Sequence, residues 1–146
     1  MRADLTKVDK ALVIAYELAK QEYELLYPDR PKVVVTHGHR SEEEQAALYA
    51  QGRQTLAEVN ALRAMVKWGP IKAEENKNKV TYKKFGTSKH NLLPSKAIDI
   101  AFVDKAGAHW DVQMFRDFAK LIGRKNRNIK WGGKFPTLVD NPHFEL

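Results

Sequence analysis

Five histidines, at positions 37, 39, 90, 109 and 143, stand in a 146-residue chain that contains no cysteine. Without thiolates, a metal ion has only imidazole and carboxylate to hold it, and sulfur nucleophiles and disulfide frameworks are excluded. Two groupings compete. In the first, His90 is followed by Asp99, and Asp140-Asn141-Pro142-His143 places an acid three residues ahead of a second imidazole. Two neutral imidazoles and a carboxylate leave the fourth position of a tetrahedral Zn2+ open, as hydrolytic rather than structural zinc requires. In the second, His37 and His39 project to the same side of a strand end and could chelate by themselves. Spacing alone does not choose between them.

The elements that must carry these residues are read from periodicity and punctuation. Thr6 and Asp9 resemble a capping box ahead of Val8, Leu12, Ala15, Ala19, Tyr23 and Leu26, which recur at helical spacing until Pro28. The β-branched run Lys32–Thr36 predicts a buried strand that delivers His37-Gly38-His39-Arg40 to its end. Ser41 with Glu44 is a second capping box, opening a short helix with Gln45, Leu48 and Tyr49 inward and a stop at Gly52. Thr55 with Glu58 opens a third, striped by Leu56, Val59, Leu62 and Val66 and closed by Gly69-Pro70. A polar loop over 71–79 separates these helices from predicted strands at Val80–Tyr82 and Ala97–Val103. In the second strand Ile98, Ile100 and Phe102 share one face and Asp99 takes the other, where it needs a partner. Asp111 caps a last helix with Met114, Phe115, Phe118, Ala119 and Ile122, ended by Gly123, before short strands at Ile129–Trp131 and His143–Leu146. Helices first, then strands around one more helix, predict an α+β fold with a mostly antiparallel sheet.

With 43% hydrophobic and 29% charged residues in 16.7 kDa, the chain can bury one full core, so a single domain over 1–146 is expected. No apolar stretch approaches the roughly 20 residues that span a bilayer. The amphipathic start does not read as a secretory signal, which predicts synthesis in a cytosol. A net charge of +7 favours a polyanionic neighbour, either nucleic acid or an envelope polymer. The excess lies in Lys72–Lys84 and Arg124–Lys130, read as solvated basic faces without the interleaved aromatics on which bases stack.

In order along the chain, Gly38–Gln45, Leu48–Arg53, Val80-Thr81, Ser88-Lys89-His90, Ala97-Ile98-Asp99, Trp131-Gly132-Gly133 and Asp140–Glu145 resemble the zinc peptidases that cut peptidoglycan peptides. That family holds D,D-carboxypeptidases, D-Ala-D-Ala dipeptidases and the L-alanyl-D-glutamate endopeptidases used as phage endolysins. The resemblance implies a hedgehog/D,D-peptidase-like zinc site with His90, Asp99 and His143 as ligands. It makes Asp140 the catalytic acid/base, sets Arg40 against the scissile carbonyl and Ser88 at the substrate side. Gln45 would buttress Arg40 or the first strand, and Glu145 would hold a ligand histidine. The segment Asn91–Lys96 is longer than its counterpart in the family and lacks glycine, which makes Asp104 the alternative carboxylate. His37, His39 and His109 fall outside the motifs and are assigned to surface or loop positions.

Asp140 and the helix over 54–67 resemble the lytic branch, so an endolysin-type endopeptidase is expected ahead of a D,D-carboxypeptidase. A basic metal-dependent nuclease or nucleic-acid-binding protein is the alternative of a different class. The implied partner is the peptidoglycan stem peptide, met by a monomer with no separate wall-binding domain, no nucleic acid and no stable membrane insertion. The implied location is the host cytoplasm, with access to the wall after the membrane is permeabilised.

Overall fold

The computed structural model describes residues 3–146. In chain order the elements are α1 (Lys10–Leu26), β1 (Lys32–His37), α2 (Glu42–Ala50), α3 (Leu56–Met65), β2 (Ala97–Asp104), β3 (Gly107–His109), α4 (Val112–Lys125), β4 (Lys130–Trp131) and β5 (His143–Glu145). They divide into two compact units, one of residues up to His39 together with Leu93–Leu146, the other Arg40–Leu92.

The first unit is a five-stranded sheet in the order β1-β2-β5-β4, with β3 also pairing with β2, and every pairing is antiparallel. The expected α+β class is met. Strand alternation supplies the core: Ile98, Ile100 and Phe102 of β2 join Val33 and Val35 of β1 and Phe144 of β5. Leu12, Ala15, Ala19 and Tyr23 of α1 and Phe115, Phe118, Leu121 and Ile122 of α4 close over them. The rings interlock edge to face, with Phe102 and Phe115 centroids 4.9 Å apart and Phe118 and Phe144 5.7 Å apart. Arg30 and Asp117, paired at 2.8 Å, bridge distant parts of this unit.

Several boundaries differ from the sequence reading. Asp9, not Thr6, caps α1 by accepting from the Ala11 N–H, while the Thr6 hydroxyl donates to Asp4 in a separate short turn. Leu26 ends α1 largely exposed rather than completing the stripe. The helix α4 runs through Gly123 to Lys125, because the buried Leu121 and Ile122 fix that turn against the core. The hairpin strand β3 was not anticipated. It forms because Asp104 accepts from the Ala106 N–H and Gly107, at φ 113°, takes the left-handed turn position. His109 consequently sits in a strand, against Asp104 at 2.8 Å, rather than in a loop.

In the second unit both expected capping boxes are complete, Ser41 with Glu44 and Thr55 with Glu58. The helix α3 stops at Met65, short of Gly69, and Lys67 takes a left-handed conformation at φ 63°. The apolar core is small: Ala50, Val59 and Ile71, with Leu56 and Leu62 against it. Amide side chains hold the remaining backbone. Asn60 both accepts from the Ile71 N–H at 2.8 Å and donates to its carbonyl at 3.2 Å. Gln51 donates to the Glu75 and Asn78 carbonyls, and Asn76 accepts from Gly52 and donates to Gln54. Gly52, at φ 79°, lies so near the backbone that an added Cβ would come within 2.8 Å of the Lys79 nitrogen. The predicted strand Val80–Tyr82 does not form. Val80 and Tyr82 are exposed, no strand among the described residues pairs with them, and Gln45 holds this segment by donating to the Lys83 carbonyl at 2.7 Å. Among the described residues no helix is long and apolar enough to cross a membrane.

Candidate metal centre

The register of β2 and β5 sets Asp99 directly opposite His143. Because Ile98, Ile100 and Phe144 point into the core, Asp99 and His143 share the other face of the sheet, and Glu145 follows two residues along it. The His143 ring is fixed at both nitrogens, Nδ1 lying 3.1 Å from the Asp99 carboxylate and Nε2 2.8 Å from that of Glu145. His37, at the end of β1, stands 3.9 Å from Asp99. Burial alone would favour the neutral ring, but the bonds to Asp99 and Glu145, with the charge of Asp140, raise the His143 pKa to about 9. The imidazolium is therefore favoured at neutral pH when no metal is bound, and the environment that favours it is one built for a cation.

A backbone bracket positions the segment that carries Asp140 and His143. The Asp140 N–H donates to the Gly132 carbonyl, the His143 N–H donates to the Asp140 carbonyl, and the Trp131 indole donates to Asn141 at 2.7 Å. A Cβ on Gly132 would lie 2.2 Å from the Asp140 carbonyl oxygen, so only glycine permits this approach. One on Gly133 would lie 2.3 Å from the Trp131 ring. In the sequence Trp131-Gly132-Gly133 stands only as one of the motifs that carry the family resemblance. The signal for its role as a bracket was the glycine pair beside an indole, which needs a close neighbour to make sense.

In the other unit, His90 is buried on a short 3-10 turn, Lys89–Asn91, that Ser88 caps by accepting from the His90 N–H at 3.2 Å. Ser88 thus has a structural use for its oxygen. The Arg40 N–H donates to the His90 carbonyl at 2.8 Å, and the Asn91 amide donates to the Arg40 carbonyl at 3.2 Å, so the motifs around Arg40 and His90 are clamped together. Gln45, expected to buttress Arg40 or β1, accepts from Asn91, one step removed from Arg40.

Among the described residues, His90, Asp99 and His143 each offer one ligand atom, and those atoms lie within 4.8 Å of one another. Two imidazoles and a carboxylate, one imidazole held from behind by Glu145, suit a zinc-class ion. Asp104, the alternative carboxylate, is committed to His109, whose hydrogen bond holds its pKa below the ordinary value. His39 joins no such group among the described residues.

The fold is similar to that of the L-Ala D-Glu endopeptidase ChiX of Serratia marcescens, with a TM-score of 0.59, covering 97% of this chain and 82% of that one. At 23% sequence identity that likeness speaks for the fold alone. The sequence is similar to the peptidoglycan L-alanyl-D-glutamate endopeptidase CwlK of Bacillus subtilis (strain 168), 33% identical over 122 residues and 78% of this chain. The chain spans 60% of that relative's length. No family model matches.

Proposed function

We propose that this protein is a metal-dependent peptidase that hydrolyses the L-alanyl-D-glutamate amide bond in the stem peptide of peptidoglycan. The observation that carries the reading is the His143 ring, held between Asp99 and Glu145 within ligand distance of His90. The endopeptidase CwlK, similar over 78% of the chain, supplies the substrate class. His90, Asp99 and His143 hold the ion, and zinc is the metal of choice for this donor set. A bound ion of this kind supplies Lewis acidity, polarising a carbonyl and acidifying water.

The chain's own groups do the rest. Asp140, fixed through its backbone by Gly132, takes the proton of the attacking water and returns it to the leaving amine. Arg40 faces the carbonyl oxygen and stabilises its developing charge, a contribution of about 3 kcal/mol for a well-placed donor. Glu145, bonded to Nε2, holds the orientation of the His143 ring, as a partner behind a ligand imidazole would. Ser88, which caps the turn that carries His90, stands at the substrate side in this reading. The biological role in this reading is that of a phage lysin: a monomer, without membrane insertion, that acts on the wall of the host after the membrane is breached.

Digestion of purified peptidoglycan by metal-replete and chelator-stripped protein, with released termini read by mass spectrometry, tests the proposal. New N-terminal D-glutamate peptides that vanish on stripping are expected. Free D-alanine instead would reassign the protein to carboxypeptidase chemistry, and no release would overturn the peptidase reading.

A further inference from the structure

The basic segment of the second unit is organised by the structure in a way its sequence does not display. Between Glu75 and Asp99 there is no acidic residue, while Lys77, Lys79, Lys83, Lys84, Lys89 and Lys96 fall in that interval. Folding brings part of this run against α2. The Arg53 guanidinium lies 3.7 Å from the centre of the Tyr49 ring and 5.9 Å from that of Tyr82. Lys84 stands 5.7 Å from Tyr49, and Lys79 5.9 Å from Tyr82. The result is a row, Lys84, Tyr49, Arg53, Tyr82, Lys79, in which rings separate and seat three cations.

None of Arg53, Lys79, Lys83 and Lys84 pairs with a carboxylate among the described residues, although ion pairs are common elsewhere in the chain. Gathering like charges without counterions is unfavourable, and the ring faces offset this only in part. Lys79, Tyr82, Lys83 and Lys84 are all exposed, so the cationic ends meet solvent. Arg53 is further fixed by donating to the Tyr49 carbonyl at 2.6 Å.

We propose that this row is a docking surface for a phosphodiester polyanion of the cell wall, separate from the metal centre. The proposal rests on the peptidase reading for its location at the wall. The choice of partner follows from how the rings are used. A single-stranded nucleic acid is held by open aromatic faces on which bases stack. Here Tyr49 and Tyr82 each face two cations, so the surface reads negative charge and is indifferent to bases. A flexible polyol phosphate chain, with regularly spaced charges and no rings, matches that chemistry. Attachment there would hold the enzyme near its substrate by raising its local concentration.

The test is binding of the full chain to immobilised poly(glycerol phosphate), at several salt concentrations, beside the variant K79Q/K83Q/K84Q. All three side chains are exposed and outside the metal centre, so an unchanged melting temperature confirms that the variant is folded. The proposal expects wild-type affinity to fall steeply with salt, and the variant to lose about tenfold or more with a shallower salt dependence. Equal binding by the variant, or equal binding of neutral dextran, would overturn it. Duplex DNA bound as tightly, and weakened by the same substitutions, would overturn it in favour of a nucleic-acid surface. Cleavage of a small soluble stem peptide, measured in parallel, should be equal in both proteins. Polymer binding without peptide cleavage would refute the peptidase reading and leave the surface standing, whereas cleavage without polymer binding would refute the surface alone.

Discussion

Among the described residues, sixteen buried side chains form one continuous apolar cluster in the sheet unit, whereas between Arg40 and Leu92 the corresponding cluster is Ala50, Val59 and Ile71. The second unit is held instead by Gln45, Gln51, Asn60, Asn76 and Asn91, each bonded to backbone distant in sequence. The two kinds of cohesion differ in consequence. Apolar burial is non-directional and contributes most of the stability, roughly 25 cal/mol per Å2. An amide bonded to backbone adds only about 1 kcal/mol net but dictates where a loop lies. Stability is thus concentrated in the unit that carries Asp99 and His143, and positional instruction in the unit that carries Arg40 and His90.

The contrast is open to direct attack. The largest effect expected is for Phe118→Ala, which empties the middle of the aromatic cluster: a loss of about 3–5 kcal/mol in denaturant unfolding. A cost below 1 kcal/mol would show that the sheet unit is not where stability resides. Gly132→Ala should act on chemistry instead, since its Cβ collides with the Asp140 carbonyl. Amide hydrolysis should fall about 100-fold, measured as kcat, with metal content retained. Unchanged turnover would remove the bracket from the mechanism.

A pH titration separates the units by charge. His143 titrates at about 9 in the metal-free fold against 6.5 as its ordinary value. Its contribution, about 3 kcal/mol, is therefore fully present below about pH 6.5 and is lost as pH rises through about 9. Denaturation of metal-free protein should show that decline and H143Q should flatten it. Metal uptake at neutral pH should, by the same reasoning, release close to one proton, measurable by calorimetry in buffers of different ionisation enthalpy.

Asn60→Ala removes both bonds to Ile71 and should cost about 1–2 kcal/mol, with hydrogen exchange accelerating within 40–92 and β2 remaining protected. Exchange quickening equally in β2 would mean that the two regions unfold as one. The smallest effect belongs to Thr55→Ala, which opens one capping box at a cost of about 1 kcal/mol, visible as a small shift in melting temperature.

The sequence made the sheet side of the site legible because strand period is local. Alternation in Ala97–Val103 already put Asp99 opposite the apolar face, and the acid three residues before His143 survived as a compact turn. Capping boxes at Ser41 and Thr55 were equally readable, since both partners lie within one helical turn. What escaped depends on partners far away in sequence. Val80–Tyr82 has strand-like residues but no strand to pair with, and its segment is held by Gln45. His37, given a surface or loop position because it falls outside the motifs, is partly exposed at the end of β1, and its approach to Asp99 depends on the β1–β2 pairing, which nothing in its neighbourhood announces. The bracketing role of Gly132 required knowing that Asp140 returns to it. Thr6 was misread for a nearer reason: Asp4 and Asp9 are both competent caps, the first taking the short turn that contains Thr6 and the second taking α1.

The antiparallel pairing of β1 with β2 joins His37 to Asp99 across 62 positions of chain. Closing so long a loop costs about 3–4 kcal/mol of chain entropy before any ladder bond is formed, which ties the time the protein takes to fold to this one event. The hairpin of β2 with β3 and the two capped helices α2 and α3 are local and should be complete within microseconds. Residues 40–92, by condensing early, shorten the tether between the two strands. A segment that adds little to equilibrium stability thereby sets the pace at which Asp99 reaches its working position.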